Sequence, residues 1–78
     1  MDKMDSISVL VFASNIDRKG KVDRVCNELL KIRGIYSVSV DLEDWENILR
    51  VECISESLSK AIQEAMSDLG VKCSELLE

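Results

Sequence analysis

Apolar and polar positions alternate along this chain with two different periods, and the switches between them mark its elements. Ile7 to Ala13 (ISVLVFA) is a β-branched and aromatic run of strand length. The polar cluster SNID that follows reads as a turn, with Asp17 placed to cap a helix. From Arg18 to Arg33 the apolar residues Val22, Val25, Cys26, Leu29, Leu30 and Ile32 recur at helical spacing, and Gly34 stands where a helix commonly stops. Ile35 to Leu42 then alternates, which puts Tyr36, Val38, Val40 and Leu42 on one face and Ser37, Ser39 and Asp41 on the other. EDWEN supplies a polar turn, and Asn47 to Ile54 alternates again, with Leu49, Val51 and Cys53 opposite Arg50 and Glu52. Ser55 or Ser57 can cap a second helix, whose stripe is Leu58, Ala61, Ile62, Ala65, Met66 and Leu69, ended by Gly70. Val71 to Leu77 reads as a weaker final strand.

The order is βαββαβ, with short connections and no proline. Two helices with one apolar stripe each must cover one face of an antiparallel four-stranded sheet, so the expected fold is α+β, a ferredoxin-like two-layer sandwich. Residues 1–78 are expected to form a single domain, near the lower size limit for an unstapled core.

Charge changes the picture more than composition does. The formal total is −5, which argues against nucleic acid as the main partner. Its distribution is lopsided: residues 18–33 hold six cations and two acids, whereas residues 34–78 hold three cations and ten acids. Arg18, Lys19, Lys21 and Arg24 crowd the expected start of the first helix, where exposed N–H groups already favour anions. No run approaches the ~20 apolar residues of a membrane span, and MDKMDS lacks the layout of a signal peptide. Three widely spaced cysteines, each in an apolar phase, suit buried thiols in a reducing compartment; the expected location is cytoplasmic, with no membrane contact.

The segments GIYSVSVDLEDWENILRVE and LSKAIQEAMSDLGVKCSEL resemble the heavy-metal-associated domain of copper chaperones and copper-transporting ATPases. That family shares this topology and a Gly-apolar-x-x-Val-x-Val-Asp strand. Its signature, a GMTCxxC loop between the first strand and first helix, is missing. The family's spacing places Arg18 and Lys21 where its two metal-binding cysteines stand, and Ile16 near its buried Met. Cationic side chains offer no donor pair to a soft monovalent ion. The resemblance thus implies a domain without the family's metal site and without a cofactor, whose loop and first helix still face a partner.

For that cluster, Arg18, Lys19, Lys21 and Arg24, two readings stand: a solvated helix face, or a contact for an anion or an acidic protein surface. A metal site assembled from the three thiols and carboxylates is the alternative. An acylphosphatase-like enzyme using Arg18, or an ACT-like regulatory domain, would share the fold, but no nucleophile, base and orienting group can be assembled, and no catalytic residue is expected. Trp45 is expected to fold back over the sheet edge. If Val9 and Val11 face the helices, Leu10 and Phe12 lie on the open sheet face and invite self-association there, as does an edge strand.

Overall fold

The computed structural model describes residues 7–76. Strand β1 (Ser8–Ser14) leads into helix α1 (Lys19–Leu30), which is followed by the hairpin β2 (Ile35–Asp41) and β3 (Ile48–Cys53). A single 3₁₀ turn (Glu56–Leu58) opens helix α2 (Ser59–Asp68), and the short strand β4 (Cys73–Glu75) closes the sheet. The sheet order is β2-β3-β1-β4, antiparallel throughout. This is the ferredoxin-like arrangement that the alternating periods predict.

The core lies between sheet and helices. Val25 and Leu29 of α1 and Ile62 and Met66 of α2 bury against Leu10, Phe12, Leu49, Val51 and Cys53. Directly opposed residues of paired strands share a face, so the β1–β3 register decides the phase of β1. Leu10 opposes Val51 and Phe12 opposes Leu49, and all four point inward. Val9 and Val11 oppose Glu52 and Arg50 on the open face. The expectation that Leu10 and Phe12 occupy that face is therefore reversed. A run apolar at every position carries no phase of its own.

Other expectations shift for local reasons. A bulge between Ile35 and Ser37 sets both residues 35 and 36 against the end of β3. Ile35 takes the buried place expected of Tyr36, which is exposed, as is Leu42 beyond the strand. Helix α1 stops at Leu30, short of Arg33, because its last turn tightens: Lys31 N donates to Glu28 O and Ile32 N to Leu29 O. Gly34 then takes φ +97°, a left-handed conformation that glycine adopts without strain. β4 is shorter than Val71–Leu77; Val71 is buried ahead of it, and Leu77 lies outside the described residues.

Candidate functional site

Because β1 runs antiparallel to β3 and feeds α1, the start of α1, the β2–β3 turn and the β4 approach gather at one end of the fold. Ser14 N donates to Glu46 O at 3.0 Å, and the Ser14 hydroxyl donates to Asn47 O at 2.6 Å, fastening the turn to β1. Asn15 N donates to Lys72 O at 3.1 Å while Asn15 Oδ1 accepts from Lys72 N at 3.0 Å, fastening the approach to β4. Between these clamps Ile16 is fully buried and turns the chain toward α1.

Arg18 is the residue at the helix boundary, with extended backbone, and its side chain makes no capping bond. Lys21 N and Val22 N donate to its carbonyl. Asp17, expected to cap the helix, forms ion pairs instead, with Arg18 Nε at 3.5 Å and Lys21 Nζ at 3.6 Å. Lys21, aided by Arg18, holds the Asp17 carboxyl below the usual carboxylate range. Arg18, Lys19, Lys21 and Arg24 are all exposed, with no buried partner to fix them. The fold thus places the four cations around the first turns of α1, with the acids Asp17 and Asp23 among them.

This loop can be tested against a soft metal cargo. Residues 15–21 supply one carboxylate, already paired with two cations, and neither sulfur nor imidazole. The donor set does not fit copper.

The thiols are elsewhere and apart. Cys53 opposes Ser8 at one end of β1, and Cys73 opposes Ser14 at the other. Six residues of strand at ~3.3 Å each set those positions roughly 20 Å apart. Cys26 lies on α1, its thiol donating to Val38 O at 3.6 Å. All three are free, and only Cys53 is fully buried; Cys26 and Cys73 are half-buried, a correction to the expectation of three buried thiols. Burial pushes each thiol above its ordinary value, helped at Cys26 by the charge of Asp23 and countered at Cys53 by hydrogen bonding from the Ser55 backbone. Among the described residues, no three metal-ligating side chains converge.

Trp45 is the residue that the sequence misplaces. It does not fold over the sheet edge; it is 89% exposed at the tip of the β2–β3 turn, at the same end as the cations. The polar sequence around it was the available signal, since three acids leave an indole no apolar shelf nearby.

No protein-family profile matches the chain, and no curated protein matches its sequence. Its fold is that of the heavy-metal-associated domain. The metal-free heavy-metal-associated domain of a copper chaperone for superoxide dismutase superposes with TM-score 0.74 at 22% identity, over 91% of this chain and 68% of that one. The metallochaperone CsoZ gives 0.75 at 16%, over 87% and 97%. The first domain of the human copper chaperone for SOD1, in its copper(I)-loaded form, gives 0.73 at 23%, over 88% and 92%. At these identities the similarity establishes architecture. No helix among the described residues is long and apolar enough to cross a membrane.

Proposed function

We propose that this domain is a small cytoplasmic interaction module, not an enzyme, that engages an acidic protein surface through Arg18, Lys19, Lys21 and Arg24. The observation that carries this reading is the exposure of four cations around an uncapped helix start, where Asp17 and Asp23 offset only part of their charge. Long cationic side chains in solvent steer association and choose partners by charge, an effect that salt screens. Solved structures with this fold include copper chaperones and a metallochaperone, which supports a metal-related setting for the partner. The donor set of the loop speaks against this chain carrying the ion itself.

Two titrations followed by backbone NMR test the reading. Poly-L-glutamate, as a generic acidic surface, is expected to shift amides of residues 17–25 and to lose its effect between about 50 and 500 mM NaCl. Arg18→Glu with Lys21→Glu removes the response while the fold is kept. Anaerobic copper(I) or zinc is expected to give no stoichiometric complex. Tight binding with shifts at Cys26, Cys53 or Cys73 supports the metal-handling alternative and defeats the proposal.

A further inference from the structure

The end of the fold that carries the four cations also displays Trp45, and the display is built in. Asp41 Oδ1 accepts from Glu43 N at 3.0 Å, Asp44 Oδ1 accepts from Glu46 N at 2.8 Å, and Asp44 O accepts from Asn47 N at 2.8 Å. Asn47 adopts φ 48°, and β1 holds the turn through Ser14. Every one of these bonds belongs to the backbone or to polar side chains. The indole makes none of these bonds, and the turn they hold presents it to solvent. A tryptophan carried on a hydrogen-bonded turn offers ~150–250 Å² of surface with only two side-chain torsions to order, which is how interface anchors gain affinity.

The charges beside the indole identify what it meets. Glu43, Asp44 and Glu46 surround Trp45, while Arg18, Lys19, Lys21 and Arg24 occupy the α1 side of the same end. A uniformly acidic surface complements α1 and is repelled by the turn; a uniformly basic one is repelled by α1. A second copy of this chain presents both signs in the same arrangement. We propose that two copies dock head to head about a two-fold axis, the acidic Trp45 turn of each against the cationic α1 start of the other. A two-fold makes each contact twice, and it brings each indole to cations that can lie over its face.

The size of this end sets the strength. The two shorter extents of the molecule, 25 and 19 Å, bound this end at on the order of 500 Å² per copy. The total, near ~1,000 Å², falls in the range of weak, exchanging complexes. Self-association and capture of an acidic partner share Arg18 and Lys21, so they compete. The proposal needs no other protein and stands or fails separately from the poly-glutamate response.

Trp45 is the only tryptophan, so its emission reports the contact directly. Sedimentation velocity from about 5 µM to about 1 mM at low salt is expected to show a monomer moving toward dimer, with emission shifting to the blue over the same range. Raising NaCl from about 50 to 500 mM is expected to weaken dimerisation about tenfold or more. Trp45→Ala abolishes it while leaving the far-UV spectrum intact. Arg18→Glu/Lys21→Glu and Glu43→Lys/Glu46→Lys are each expected to be monomeric alone and to form a mixed dimer when combined. A chain monomeric to about 1 mM with unchanged emission overturns the proposal and leaves Trp45 to a different partner. A dimer that survives Trp45→Ala and both charge reversals overturns it in favour of another surface.

Discussion

One added methyl group at Gly34 tests the joint between α1, β2 and the end of β3. Gly34 sits at φ +97°, and its carbonyl accepts from Ile54 N at 2.7 Å. A Cβ there would meet Ile54 Cγ2 at 2.8 Å and Leu58 Cδ1 at 3.2 Å. Gly70 provides the control, with φ +78° and no heavy atom within 4 Å of an added Cβ. At Gly70 an alanine incurs only the left-handed conformation, ~1–2 kcal/mol, offset by ~0.4–1 kcal/mol from a stiffer unfolded chain. Gly34→Ala adds the collision. Leu58 Cδ1 ends a flexible side chain and moves cheaply, but Ile54 Cγ2 is fixed to its own Cβ and yields only by rotating the side chain or shifting backbone, at ~1–3 kcal/mol. The expected losses are ~0.5–1.5 kcal/mol for Gly70→Ala and ~2–4 kcal/mol for Gly34→Ala, the latter a fall in Tm of roughly 10–25 °C. Urea unfolding followed by far-UV circular dichroism measures both, with the slope unchanged if only stability moves. Trp45 emission is a poor folding probe, being exposed in the folded state already. Combining Gly34→Ala with Ile54→Ala is expected to recover at least ~1 kcal/mol relative to additivity. A Gly34→Ala loss equal to that at Gly70, or no coupling with Ile54, refutes the reasoning.

Phe12→Ala, emptying a fully buried site, is expected to cost ~3–5 kcal/mol, a large share of the ~4–12 kcal/mol typical for this length, whereas Val9→Ser on the open face costs under ~1 kcal/mol; equal urea midpoints would reject the β1 phase. All three thiols are held protonated by burial, so the stability they add is complete below the unfolded thiol pKa and is lost as pH rises through the higher folded values; urea midpoints measured from pH 7 upward are expected to fall above about pH 8.5. Thiol titration with a disulfide reagent should find Cys53 the slowest of the three. Arg18→Ser is expected to stabilise the domain by ~0.5–2 kcal/mol over Arg18→Ala, because residue 18 already has the backbone of a helix cap; equal midpoints for the two variants count against this.

What the sequence makes legible depends on whether the two faces of an element differ chemically. β3 alternates Leu49, Val51 and Cys53 with Arg50 and Glu52, so its inward face can be read directly and is confirmed. β1 is apolar on both faces, and only pairing with β3 turns Leu10 and Phe12 inward. The bulge beside Tyr36 leaves no mark in the alternation, since it is a property of the pairing and not of the strand. Ser55, one of two candidate caps for the second helix, caps the 3₁₀ turn ahead of it, its hydroxyl accepting from Ser57 N at 3.1 Å, while α2 itself has no side-chain cap. The gathering of the four cations at one end follows from element order alone. Trp45 is the opposite case: a turn residue can lie over the sheet or away from it without altering the alternation, and only the three acids around it signal its exposure.

The two helix starts, compared within one chain, bear on why the cations are there. The 3₁₀ turn that leads into α2 has a serine cap and Glu56 in its first turn, the arrangement that satisfies orphan N–H groups and suits the helix dipole, while α2 itself starts at Ser59 with neither a side-chain cap nor an acid in its first turn. The start of α1 has Arg18 at the boundary with φ −152° and ψ 157°, no side-chain cap and no acid in its first turn. Its backbone would hold a serine or aspartate without adjustment, so geometry does not require arginine. Stability does not favour arginine either, since cations near a helix N-terminus oppose the dipole and Asp17 relieves only two of them. A local rule broken at the surface by cations, at the end that also carries an exposed indole, supports the proposed contact surface. On the proposed reading, positive charge at this end has its physical account in what approaches α1, not in what α1 packs against.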